Sequence, residues 1–308
     1  LGLDASRFDQ HFSPEALIWE HQQYVRCFKR RRDRAELRRL LEWQLGNTGC
    51  CYLPEGKVRY RVDGCRMSGD MNTALGNCLV MCAMVWTYAR SRRVSIELIN
   101  NGDDCVVFME QGDLERFSNG LEGWFVDMGF TMKVEPPVYV LERVEFCQSQ
   151  PVYDGEKYVM VRGLKALTKD GICVDPLTHP VEQYTWLSAM GEGGLSLTGG
   201  LPIWQDYYGV YSRFAESLGD PKSRRRRNIR DSTLYESGMM INAAGMNRKY
   251  KPVTPEARFS FWLAFGINPD HQRAIESKLK SLSKFEISSQ YKHPYPFSGM
   301  TQAWGYLH

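Results

Sequence analysis

Asn100-Asn101-Gly102-Asp103-Asp104-Cys105 lies between two apolar runs, Val94 to Ile99 and Cys105 to Met109. Asn-Gly between such runs is a strong signal for a β-hairpin, because a tight turn needs residues that tolerate positive φ. Gly102 meets that need, and the turn then presents Asp103 and Asp104 at its tip. Gly-Asp-Asp alone is weak evidence, since about one chain of this length in twenty would hold it by chance at average composition. Its weight comes from what surrounds it.

Upstream, the chain opens on Leu1-Gly2-Leu3-Asp4, an apolar run ending in a carboxylate, with Asp9 following in Ala5-Ser6-Arg7-Phe8-Asp9. A beginning inside a strand-like run, without methionine, leads us to expect the carboxy-terminal portion of something longer. Between the two acidic places sits Ser68-Gly69-Asp70-Met71-Asn72-Thr73-Ala74-Leu75-Gly76-Asn77. Ser68-Gly69 reads as a flexible entry to an apolar helix from about Thr73 to Arg90, with Thr73 and Asn77 one turn apart on one face. Asp4, Asp103 and Asp104 are the oxygen donors that hard cations such as magnesium take. Phosphoryl displacement commonly uses two such ions about 3.5–4 Å apart. Asp9 with Asn77 would hydrogen-bond a sugar 2′-hydroxyl, a contact that rejects substrates lacking the group. The plainer alternatives are a polar turn for the acids and internal satisfaction for Thr73 and Asn77.

Elsewhere the pattern is mixed. Ser13-Pro14-Glu15 reads as a helix start, with serine as cap and proline at the first position. Arg30 to Leu45 reads as a charged amphipathic helix stopping at Gly46-Asn47-Thr48-Gly49, and Lys57 to Val62 as a short strand. Asp113 is expected to cap one helix running through Leu114, Phe117, Leu121, Trp124, Phe125 and Met128 to Gly129. Phe130–Val134 and Tyr139–Cys147 read as strands. Beyond Pro151 helices dominate: Val181–Met190, Trp204–Leu218, Pro255–Phe265 after Thr254, and Pro269–Leu282 after Asn268. Gly191 to Gly200 is expected to be a plain connector, since it lacks the lysine of a phosphate loop. A domain boundary is expected near residue 150.

Bulk properties bound the class. A chain of 308 residues, 43% hydrophobic and 12% aromatic, is long and apolar enough to fold as one large core or two domains. The net charge of +3 says little, but the charge is clustered in Lys29 to Arg34 with Arg38-Arg39, and in Lys222 to Arg230. Such clusters serve either as phosphate-binding patches or as solvated faces. Nine cysteines in no paired framework, with no Cys-x2-Cys, argue against a disulfide scaffold and a structural zinc site, and suggest a reducing intracellular setting. Cys78 and Cys82 read as core filling. The apolar stretch Ala74 to Ala89 is too short, and too polar at Asn77 and Thr87, for a membrane span.

Taken together, Asp4-Ala5-Ser6-Arg7-Phe8-Asp9-Gln10-His11, Cys65-Arg66-Met67-Ser68-Gly69 through Asn77, and Asn101-Gly102-Asp103-Asp104-Cys105 resemble motifs A, B and C of positive-strand RNA virus polymerases. The wording is most similar to the Tombusviridae, of carmovirus and tombusvirus type. The resemblance implies an α+β right-hand polymerase: a palm of antiparallel sheet on helices over 1–150, holding motifs A to E with a partly fingers-like insertion at 30–66, then a mainly helical thumb over 151–308, with the fingers largely absent. It implies metal ligation by Asp4, Asp103 and Asp104, with Mg2+ as cofactor or Mn2+ in its place. Asp9, Ser68, Gly69, Thr73 and Asn77 would read the ribose and incoming nucleotide. Lys133 would be the motif D lysine that protonates departing pyrophosphate, the alternative being an ordinary solvated lysine. Glu145 to Gln150 resembles motif E, a hairpin supporting the growing 3′ end.

The implied reaction is RNA-templated attack of an RNA 3′-hydroxyl on a nucleoside triphosphate. Implied partners are viral RNA template and nascent strand, nucleoside triphosphates, the missing amino-terminal replicase region and host factors. The implied location is host cytoplasm, in a membrane-associated replication complex anchored outside this chain. Reverse transcriptase is the enzymatic alternative, disfavoured because Asp9 and Asn77 suit binding of a 2′-hydroxyl rather than its exclusion. A non-catalytic RNA-binding or assembly fragment of a replicase is the alternative of another class.

Overall fold

The computed structural model describes residues 1–170, 180–218 and 247–282 and is α+β, with antiparallel sheets. It divides into two compact units, Leu1–Val138 and Tyr139–His308, ahead of the boundary expected near residue 150. The basic cluster Lys222 to Arg230 lies outside the described residues.

The first unit is built on a four-stranded antiparallel sheet in the order β4-β5-β1-β6, with β1 Gly2–Ser6, β4 Glu97–Asn101, β5 Asp104–Phe108 and β6 Thr131–Val134. Strand alternation turns Leu3 and Ala5 into the core and leaves Asp4 and Ser6 exposed on the other face. Helices α1 Pro14–Arg26, α2 Arg31–Glu42 and α3 Thr73–Ser91 accompany the sheet. Ser13 caps α1 as expected, its hydroxyl accepting from the Ala16 amide at 3.2 Å. Phe8, Phe12, Met81, Val85, Tyr88 and Phe125 fill the core.

Four expectations here need correction. Helix α2 stops at Glu42, and Gly46–Leu53 is a strand, β2, paired in full register with β3 Gly56–Asp63. Strand β3 contains the strand expected over Lys57 to Val62, whereas β2, exposed along most of its length, buries no apolar face that would mark it in the sequence. The helix expected from Asp113 to Gly129 is two, α4 Leu114–Ser118 and α5 Leu121–Asp127, broken where Gly120 sits at φ +81°. The buried Tyr88 hydroxyl approaches the carbonyls of Phe117 and Asn119 at 2.7 and 2.9 Å, satisfying groups that the break leaves unpaired. Asp113 does not cap: its carboxylate pairs with Arg116.

In the second unit, Tyr139–Cys147 is not a strand. Leu141–Arg143 forms a 3-10 turn, because Gln150 donates to the Glu142 carbonyl at 3.1 Å and to the Ala264 carbonyl at 2.9 Å. Phe146 and Ser149 then exchange two backbone hydrogen bonds around Cys147 and Gln148, both at positive φ, making a tight two-residue hairpin turn. A hairpin, β7 Ser149–Tyr153 with β8 Tyr158–Arg162, follows. The helices are α6 Lys165–Asp170, α7 Pro180–Thr198, α8 Trp204–Leu218, α9 Pro255–Phe265 and α10 Pro269–Ser281.

Thr254 and Asn268 cap α9 and α10 through their side-chain oxygens, as their places before proline suggest. The glycine-rich stretch expected to be a connector is helical through Thr198. Its glycines serve packing: a Cβ at Gly194 would collide with the Tyr208 ring, and one at Gly191 with Ser212, both on α8. Helix propensity yields there to close approach of two helices.

Candidate active site

The sheet register sets the acidic centre. Asp4 on β1 pairs with Asp104 on β5 and with Lys133 on β6, so the three residues stand abreast across neighbouring strands and share one face. Asn101 pairs with Asp104, leaving Gly102 and Asp103 as the two-residue turn, with Gly102 at φ +73°. Two side chains missed in the sequence hold this turn. Asn100 donates to the Gly102 carbonyl at 2.8 Å and to the Asp104 carbonyl at 3.3 Å. Cys78 on α3 receives the Gly102 amide on its sulfur at 3.1 Å. Cys78 is therefore more than core filling: it ties the turn to the helix that carries Asn77. Its place next to Asn77 was the available signal.

The electrostatics of the turn are unfavourable as they stand. Burial pushes the Asp103 carboxyl above the ordinary carboxylate range, and the negative charges of Asp4, Asp9 and Asp104 push it the same way against a backbone hydrogen bond. A bound cation would reverse that balance. The donors are hard oxygens that suit Mg2+ in kind. Among the described residues, however, no three His, Cys, Asp or Glu side chains are gathered closely enough to hold a metal ion.

The second cluster is assembled by hydrogen bonds between distant segments. Asp9 follows β1 in a 3-10 turn. Its carboxylate accepts from the Ser68 hydroxyl at 2.6 Å and from Asn77 Nδ2 at 2.7 Å. Asn77 is 7% exposed, and its Oδ1 is buried without a hydrogen-bond partner in the protein. An unmet acceptor beside a carboxylate is what a ligand hydroxyl would complete. Thr73 does not join this cluster: its hydroxyl donates to the Met67 carbonyl at 2.9 Å and closes the loop before α3. A Cβ at Gly69 would meet nothing within 4 Å.

Asp9, Ser68, Asn77 and Asp103 all line one cleft of about 780 Å³, whose wall also includes Arg7, Tyr60 and Arg66. Arg7 stands in the left-handed region at φ +51° at the start of the 3-10 turn, and Tyr60 belongs to β3, the expected strand, whose pairing with β2 was not foreseen. Neither was named as a site residue from the sequence, although Arg7 lies within the Asp4–His11 motif and Tyr60 within the expected strand.

Residues 1–286 match the family described as viral RNA-dependent RNA polymerase. The chain belongs to that family. Named relatives agree, each called an RNA-directed RNA polymerase. That of oat chlorotic stunt virus is 45% identical over 286 residues, covering 91% of this chain and 38% of the relative. Those of melon necrotic spot virus and turnip crinkle virus are 45% and 43% identical, covering 90% and 92% of this chain and 34% and 35% of their own length. This viral polymerase family member thus spans about a third of the length of the relatives it matches. Among the described residues, no helix is long and apolar enough to cross a membrane.

Proposed function

We propose that the chain is the catalytic portion of an RNA-directed RNA polymerase, with residues 1–150 acting as palm, 30–66 as a partly fingers-like insertion and 151–308 as thumb. One observation carries the reading: Asp4 and Asp104 are paired on adjacent strands, and the adjoining turn places Asp103 in the same cleft as the Asp9–Ser68–Asn77 cluster. Asp4, Asp103 and Asp104 would hold divalent cations, Mg2+ or Mn2+, which supply activation of the attacking 3′-oxygen and charge neutralisation at the departing pyrophosphate. The raised proton affinity of Asp103, due first to burial and then to the neighbouring charges of Asp4, Asp9 and Asp104, is consistent with that role.

The remaining roles fall to the chain's own groups. Asp9, Ser68 and Asn77 bind the sugar, with Asn77 Oδ1 accepting from the 2′-hydroxyl. Thr73 and Gly69 shape the loop that brings Ser68 to Asp9. Lys133, in register beside Asp4, holds the proton that leaves with pyrophosphate. The tight turn at Cys147-Gln148 is the candidate support for the growing strand.

Viral RNA template, nascent strand and nucleoside triphosphates are the proposed ligands. An amino-terminal replicase region, suggested by the coverage of the relatives, and host factors are the proposed partners, in a membrane-associated complex in the host cytoplasm anchored by regions outside this chain.

The test is metal-dependent extension of a primed RNA by the full-length polymerase beside its Asp103→Ala variant. Extension by the parent and none by the variant is expected. A parent that folds and binds RNA but extends nothing would favour a non-catalytic role. Equal extension by both would remove Asp103 from the site.

A further inference from the structure

Buried polar contacts tie both ends of one exposed loop to a single carboxylate. The loop, Met67 to Met71, carries Ser68 to Asp9. At its amino end, the Arg66 guanidinium pairs with the Glu20 carboxylate, both side chains 0% exposed, and stacks over the Phe12 ring at 4.3 Å. The Arg66 amide also donates to the Asp9 carbonyl at 2.8 Å. At its carboxy end, Asn72 precedes α3 and donates to the same Glu20 carboxylate at 2.9 Å, while accepting from Gln44 at 2.8 Å. Tyr24 adds a third donor to Glu20 at 2.6 Å. Gly76 leaves the room required, for a Cβ there would strike both the Glu20 carboxylate and the Arg66 guanidinium.

As a source of stability this arrangement is poor. Desolvation of a buried ion pair offsets most of its Coulomb gain. Two guanidinium nitrogens of Arg66, Nε and Nη1, are buried without a hydrogen-bond partner, which costs more. What the network does supply is a fixed position for both loop ends, while the loop itself is open: Met71 is fully exposed and a Cβ at Gly69 would meet nothing within 4 Å.

We propose that Glu20 is a positioning residue for sugar selection, acting through Arg66 and Asn72 to hold Ser68 on Asp9 beside Asn77. This rests on reading the cleft as the ribose site. Loss of the tether lets Ser68 leave Asp9, and the carboxylate then no longer presents a single geometry to a 2′-hydroxyl.

The experiment measures kcat/KM for a ribonucleoside triphosphate and for its 2′-deoxy counterpart, using full-length polymerase as wild type, Glu20→Gln, Asn72→Ala and Asp9→Asn. The ratio of the two constants does not depend on the fraction of enzyme that is folded, so a merely structural role leaves it unmoved. A fall in that ratio of about tenfold is expected for Glu20→Gln, the size of a typical coupling between residues in one network. A smaller fall is expected for Asn72→Ala, which cuts one tether and spares the ion pair, and it decides the matter if Glu20→Gln yields no active enzyme. An unchanged ratio in the tether variants, with a lowered one in Asp9→Asn, would overturn the positioning role and leave the ribose reading standing. An unchanged ratio in Asp9→Asn would overturn the ribose reading, and the proposal with it.

Discussion

Replacing Asp9 by asparagine should cost the enzyme its preference for ribonucleotides more than its ability to extend. The Asp9 carboxylate accepts two short hydrogen bonds, 2.6 Å from Ser68 and 2.7 Å from Asn77. In Asp9→Asn one oxygen becomes an NH2 donor. Ser68 can rotate its hydroxyl and accept from it, because hydroxyls donate and accept alike. Where the NH2 faces Asn77 instead, that side chain can respond only by turning its amide over. That movement puts a donor where Oδ1, the unmet acceptor, had been. The sugar hydroxyl then loses one bond to a charged group, directly or through Asn77, worth about 1.5–3 kcal/mol. The ratio of kcat/KM between ribo- and deoxyribonucleotides should accordingly fall by about tenfold to a hundredfold. Single-turnover incorporation by the full-length polymerase, with each nucleotide at several concentrations, reads this directly. A ratio within about twofold of wild type would refute the reasoning.

Three other substitutions have expected outcomes. Asp103→Asn should raise thermal stability at neutral pH in metal-free buffer: a carboxyl held above its ordinary range penalises the folded state once pH has risen through its folded value. The gain should vanish at a pH low enough to protonate Asp103 in both states, and added Mg2+ should stabilise the parent but not the variant; a gain that persists at low pH would contradict the charge argument. In the second unit, Gly194→Ala should destabilise by about 1–2 kcal/mol, since a Cβ would enter the Tyr208 ring. Gly209→Ala on α8, where the nearest side-chain atom stands 3.7 Å away, should stabilise by about 0.8 kcal/mol. Hydrogen exchange of α7 and α8 amides measures both, and equal effects would show that propensity rather than packing governs these glycines.

Local signals in the chain were strong enough to place many elements. Pro14, Pro255 and Pro269 after Ser13, Thr254 and Asn268 mark helix starts because a cap and a proline act within one turn. Asn101-Gly102 marks the hairpin, although the two-residue turn proper is Gly102-Asp103, because a tight turn needs the positive φ that Gly102 adopts. The apolar periodicity of Trp204–Leu218 sufficed for α8. Where packing overrides propensity, the same reasoning failed. Gly191 and Gly194 read as a loop because their reason for being glycine lies on another helix. Strand β2 was invisible because neither of its faces is buried.

The chain by itself determined which residues are candidates for the chemistry: the acids at Asp4, Asp9, Asp103 and Asp104, and Ser68 with Asn77. Motif order and residue type carry that information, and they survive without coordinates. Only the tertiary structure decided how these residues meet. Strand register set Asp4 between Asp104 and Lys133. Hydrogen bonds across 59 and 68 residues of chain brought Ser68 and Asn77 to Asp9, while the Thr73 hydroxyl turned inward to the Met67 carbonyl. The Glu20–Arg66 pair left no trace in the linear pattern, because its partners are 46 residues apart and the pairing exists only once both charges are buried together.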